Sequence, residues 1–171
     1  MWVDRNINDI ITWIIMKMID FDFDVVGGIV RVYAIGAKDV GRVTYYPESG
    51  QWRFSLKEGA VVIEIPVYAP SGVEFVEQQR LEAGADVYEM SLTVRIPKQG
   101  NALVARELER GEWIVVFMDS NGDIRMCGTS ELPMVFASNR TITNDANYNS
   151  GVFSVVSGEP SKEIDRRAFY I

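Results

Sequence analysis

Histidine is absent from the chain. Imidazole is the usual general base near neutral pH and the commonest transition-metal ligand, so its absence removes Ser-His-Asp and Cys-His catalysis and His-based zinc sites together. Cysteine occurs once, as Cys127, which rules out an intrachain disulfide and leaves packing to supply stability. Basic residues are outnumbered: 17 Lys plus Arg stand against 24 Asp plus Glu, giving a formal net charge of −7. They are scattered rather than clustered, so no phosphate-tracking patch forms, and the acidic surface argues against a DNA reader but suits a wall that DNA must pass without sticking. No run reaches the roughly 20 apolar residues that a membrane-spanning helix needs, so no membrane partner is expected.

What remains is the composition of a folded globular domain, 47% hydrophobic and 24% charged over 171 residues. No repeat, low-complexity tract or linker divides it, so residues 1–171 are expected to form a single β-rich domain. Near the start, Ile7, Ile10, Ile11, Ile14, Ile15 and Met18 follow helical spacing, with Asn6 placed to cap the first turn. This predicts a helix over residues 7–19, with β-branched isoleucines leaving a strand as the alternative. Trp13 and Met16 widen its apolar arc, so residues 1–24 read as a docking segment. Asp4 offsets Arg5, Lys17 interrupts the run and no small-residue cleavage site follows, so a secretory signal is not expected.

Strands are predicted at Ile29–Ile35, Gly41–Tyr46, Gln51–Phe54, Val61–Tyr68 and Val87–Ile96, separated by turn residues at spacings that favour antiparallel connections. Val73–Leu81 fits either a strand or a short helix. Asn101–Arg110 predicts a helix with Leu103, Val104 and Leu108 on one face and Gly111 as its stop. Trp113–Met118 and Ile124–Cys127 flank Asn121-Gly122, which predicts a hairpin with a type I′ turn. Leu132–Phe136 and Val152–Val156 complete the strands, and the polar stretch Ala137–Ser150 reads as an exposed loop. The fold class expected is mainly β, an antiparallel sandwich or barrel, with an N-terminal and an internal helix.

Residues able to carry chemistry also have structural roles open to them. Asp20, Asp22 and Asp24 alternate with Phe21 and Phe23, so an extended chain places three carboxylates on one face, able to meet a hard cation. The spacing lacks the glycine and distal glutamate of a calcium loop, and a solvated charged face accounts for it better. Asp119-Ser120-Asn121-Gly122-Asp123 resembles the start of such a loop, but flanking strands explain it as a turn. Cys127 lies in an alternating run and is expected to be a buried thiol. Asn139-Arg140-Thr141 forms a glycosylation sequon that matters only in a secretory pathway. The glycines form neither a P-loop nor a dinucleotide fingerprint. No catalytic, cofactor-binding or metal-ligating residue is therefore assigned. Trp2, Trp13, Trp52, Trp113, Tyr45, Tyr46 and Tyr148 fit a core, a subunit interface or a sugar-binding face.

Several segments read in order carry a resemblance: Gly27-Gly28-Ile29-Val30-Arg31-Val32-Tyr33-Ala34, Asp39-Val40, the strand from Tyr88 to Ile96, Val115-Val116-Phe117-Met118-Asp119-Ser120-Asn121-Gly122, Gly128-Thr129-Ser130-Glu131 and Ala168-Phe169-Tyr170. Together they resemble structural proteins of Bacteroidetes-infecting tailed phages, including crAss-like phages. The Ile-rich N-terminal segment departs from that pattern, and Asn144-Asp145-Ala146-Asn147 matches it loosely. The resemblance implies a tail-tube-like, non-enzymatic virion subunit of the neck or tail, made in the host cytoplasm. It further implies a cyclic homo-oligomer that contacts other neck, tail or portal proteins and lines the channel through which the genome passes. The competing expectation is a monomeric β-sandwich module binding carbohydrate or cell-surface ligands. A carboxylate-dependent hydrolase is a third, with no acid pair standing out to support it.

Overall fold

Two segments have lost the polar alternation expected of a half-exposed strand: IVRVYAIG, which forms β1 (Ile29–Gly36), and EWIVVFMD, which forms β7 (Glu112–Asp119). In the computed structural model, which describes residues 28–66, 73–97, 102–139 and 148–166, these strands pair antiparallel, with Val32 opposite Phe117 and Ile35 opposite Ile114. Successive side chains of a strand point to opposite faces. Val32, Ala34, Trp113, Val115 and Phe117 therefore enter one buried cluster, while Tyr33, Ile35, Ile114, Val116 and Met118 enter a second. A strand pair buried on both faces has no solvent side to keep polar, which explains the near-continuous apolar runs.

The remaining strands supply the two covers. They are β2 (Val40–Tyr46), β3 (Gln51–Leu56), β4 (Val62–Ile65), β5 (Glu74–Glu82), β6 (Ala85–Pro97), β8 (Ile124–Cys127), β9 (Met134–Asn139), β10 (Tyr148–Ser157) and β11 (Lys162–Ile164). One helix, α1 (Ala102–Arg110), lies between β6 and β7. The sheet runs β2-β3-β11-β8-β7-β9-β10-β6-β5, with β1 pairing β7 and β4. It forks at β7. Val115 pairs with both Ala34 and Cys127, and Trp113 with both Gly36 and Met134, so β8 and β9 share the edge of β7 opposite β1. The β9-β10-β6-β5 branch supplies Phe136, Phe153 and Leu92 to the first cluster, and β2, β3 and β11 supply Val40, Leu56 and Ile164 to the second.

The described fold is mainly β with one helix, as the sequence pattern implies, and the sheet is open and mixed. One pair departs from the antiparallel expectation: β11 and β3 run parallel where Ile164 meets Trp52. The strand β11 carries too few apolar residues to register as a sequence pattern. Val73–Leu81 resolves as a strand, paired along its length with β6. The loop expected over Ala137–Ser150 is narrower, because β9 extends to Asn139 and β10 begins at Tyr148, with Ser150 opposite Asn139. Ladder pairing there engages backbone groups that polar residues supply as readily as apolar ones. The N-terminal helix over residues 7–19 lies outside the described residues.

Two local expectations are corrected. The buried face of α1 is Val104, Ala105 and Leu108, while Leu103 is 72% exposed. The indole of Trp113 fixes that docking by donating Nε1–H to the Leu108 carbonyl at 2.9 Å. The Asn121-Gly122 turn is not type I′. Only Gly122 has positive φ there (79°), its N–H donates to the Asp119 carbonyl at 2.9 Å, and the Asp119 N–H donates to the Asp123 carbonyl at 3.1 Å. This is the three-residue hairpin loop that ends in a left-handed glycine. The two-residue hairpin turn with both centres at positive φ occurs instead at Ala83-Gly84 (50° and 84°), between Glu82 and Ala85.

Candidate functional site

The β5–β6 hairpin outreaches the sheet that supports it. β10 pairs with β6 as far as Ser157 opposite Tyr88; beyond that point Arg80, Leu81 and Glu82 pair only with Val87, Asp86 and Ala85. Phe75, at the root of β5, still packs on Phe117 with ring centroids 4.8 Å apart. From Val76 onward every residue of β5 is exposed, with Leu81 at 74%. Arg80 pairs with Glu89 at 2.9 Å and Glu82 at 3.4 Å, and the Gln79 amide donates to Asp86 at 3.0 Å. Both faces of this two-stranded arm therefore meet solvent and are tied together by polar contacts. An isolated two-stranded hairpin is marginal in water, so an arm of this kind gains stability when another surface covers it.

A second surface gathers at the other end of the sheet. Tyr45 lies against Trp52 with centroids 5.1 Å apart, and the Lys162 ammonium sits 4.7 Å from the Trp52 ring centroid. On the opposite face of β3, the Arg53 guanidinium lies 4.2 Å above the Tyr46 ring and reaches the Asp165 carboxylate at 3.0 Å. Asp165 is 1% exposed, a depth at which a carboxylate requires a charged or hydrogen-bonding partner. Tyr45 and Tyr46 remain exposed. Hairpin register produces this corner, since Tyr45 is opposite Trp52 and Thr44 opposite Arg53, while Lys162 and Asp165 arrive from β11 and its C-terminal flank.

Asp20, Asp22, Asp24, Trp2 and Trp13 lie outside the described residues. The Asp119 carboxylate accepts backbone N–H groups of Asn121 and Asp123, each at 2.9 Å, so it is engaged in holding its own turn. Arg166 adds a bond to the Asn121 carbonyl at 2.7 Å. Cys127 is 1% exposed, and burial, followed by the charge of Glu77, pushes its thiol well above the usual range. A neutral buried thiol has little nucleophilic character. Tyr33 is fully buried, with its hydroxyl 3.4 Å from Glu64, and desolvation followed by the Glu64 charge raises its pKa to about 12. Asn139 ends β9, and the remainder of its sequon is outside the described residues.

Among the described residues no three His, Cys, Asp or Glu side chains are grouped to hold a metal ion, and no helix is long and apolar enough to cross a membrane. Compared with protein-family models, curated proteins and solved structures, the chain matches none.

The β5–β6 arm had only a partial signal in the sequence. Glu74 to Glu82 alternates poorly because both faces of its outer part are wet, which is why strand and helix fitted equally well.

Proposed function

We propose that this chain is a non-enzymatic structural subunit that assembles with copies of itself into a ring, of the kind found in the neck or tail of tailed phages. The observation that carries the reading is the β5–β6 arm, whose solvated faces and exposed Leu81 suit it to lie on a neighbouring subunit. Burying such an arm adds apolar contact and completes hydrogen bonding along an open strand edge. The two buried clusters on opposite faces of β1 and β7 support a layered, sandwich-type or tail-tube-like body from which the arm projects. A net charge of −7 would keep a ring lumen from binding the genome as it passes. Other neck, tail or portal proteins would stack on such a ring.

Light scattering on the full chain over a wide concentration range tests this reading. A discrete mass of several subunits is expected, shifting toward the monomer in Leu81→Asp, a change at a solvent-exposed position that leaves the core intact. A wild-type monomer at every concentration would refute it.

One observation favours a second reading, a carbohydrate-binding module: on one face of the β2–β3 hairpin the exposed Tyr45 lies against Trp52, beside the Lys162 ammonium. Aromatic rings beside fixed polar groups are the surfaces on which sugar rings stack. Calorimetric titration with acidic and neutral oligosaccharides checks it, with binding lost in Tyr45→Ala if the corner is the site.

A further inference from the structure

Three strands pair on one side only among the described residues: β2, β4 and β5. β4 is four residues long, and its side chains are buried or half-buried. That leaves β2 and β5 as the exposed ends of the sheet. An edge strand turns every second N–H and C=O away from its partner, offering a ladder to any strand that can approach.

The two edges differ in charge. β5 carries Glu74, Glu77 and Glu82 against the single Arg80, whereas β2 carries Arg42 and no carboxylate. Arg80 is engaged by Glu82 and Glu89, and Glu77 accepts the Ser161 N–H at 2.7 Å. Arg42 and Glu74 are both exposed and make no ion pair among the described residues. Among the described residues each end of the sheet thus presents an unpaired edge, that of β2 bulged between Val40 and Val43, and the two carry opposite signs.

We propose that β2 of one copy adds to β5 of the next, continuing the sheet across a head-to-tail seam. The proposal rests on the assembly reading above and names its contact. Two β5 edges would set glutamates against glutamates, and like charges across a strand pair are destabilising. Joining β2 to β5 is heterologous, and a heterologous contact closes into a ring when its rotation permits. Tyr45 and Tyr46, exposed at the end of β2, supply aromatic area to the seam.

The test is the solution mass of the full chain as wild type, Arg42→Glu, and Arg42→Glu with Glu74→Arg. All three keep the core, because both side chains are exposed. Charge reversal at Arg42 should weaken assembly by about tenfold or more, and the paired reversal should restore it. A discrete multimer unaffected by Arg42→Glu overturns the seam while leaving the assembly reading in place. Loss of assembly without restoration in the paired variant overturns the pairing of β2 with β5, as does a wild-type dimer. A wild-type monomer throughout overturns both.

Discussion

Replacing Gly151 with alanine should destabilise this protein, although strand preference alone implies the reverse. Glycine inside a strand is worse than alanine by roughly 0.5–1 kcal/mol, because it loses more backbone freedom on folding. Gly151 lies in β10 between Val94 of β6 and Ser138 of β9, and the ring of Phe136 lies directly over it. An added Cβ would stand 2.1 Å from Phe136 Cζ and 2.4 Å from Cε2. The ring would have to retreat by about 1.3 Å or more to reach an ordinary contact. It has nowhere to go, since Phe136 is 3% exposed and packs on Phe153 with centroids 4.7 Å apart.

Overfilling a packed core costs roughly 1–3 kcal/mol, and subtracting the backbone gain leaves a net loss of about 1 kcal/mol. At this chain length that lowers Tm by roughly 2–4 °C. Urea unfolding followed by tryptophan fluorescence reads it as a lower midpoint at unchanged slope. Phe136→Leu should cost less in the Gly151→Ala background than in wild type, because the smaller side chain relieves the clash. Stability equal to or above wild type, or strict additivity of the two changes, would refute the reasoning.

Ala83, at φ 50°, occupies a turn position that Asn or Gly tolerates better, so Ala83→Asn should raise protection of the β5–β6 amides in hydrogen exchange by about 0.5–1 kcal/mol. Unchanged or reduced protection would count against the type I′ assignment. Stability should also fall at high pH. Cys127 and Tyr33 both have raised folded pKa values, so above their unfolded values the unfolded state sheds protons that the folded state retains. The loss begins near pH 9 through Cys127, at a slope of up to about 1.4 kcal/mol per pH unit, and Tyr33 adds to it between pH 10 and about 12. Cys127→Ala should remove the first part of that slope; a slope from pH 9 to 10 identical to wild type would show that Cys127 is not its source.

Local pattern made several features legible. The apolar runs at Ile29–Ile35 and Trp113–Met118, the helix ending before Gly111 and the buried thiol of Cys127 were all readable, because each follows from side-chain periodicity or a short-range signal. The turn type was not. Asn121-Gly122 and Ala83-Gly84 each carry one glycine, but loop length is fixed by register, and register depends on which distant residues face each other. Leu103 shared the helical spacing of Val104 and Leu108, yet the direction from which β7 and β9 approach left it in solvent.

By itself the sequence determined that the chain would be mainly β, would hold no disulfide and would contain no imidazole chemistry, since those follow from composition and local alternation. Only the tertiary structure decided that β1 and β7 are buried on both faces, that β7 splits its free edge between β8 and β9, and that the β5–β6 hairpin outruns its support. It also brought Arg53 and Asp165 together across 112 positions of sequence. The reason is physical: a strand's own residues specify which faces are apolar, whereas its neighbours, and the point at which they stop, are set by long-range pairing whose backbone hydrogen bonds carry no side-chain signature.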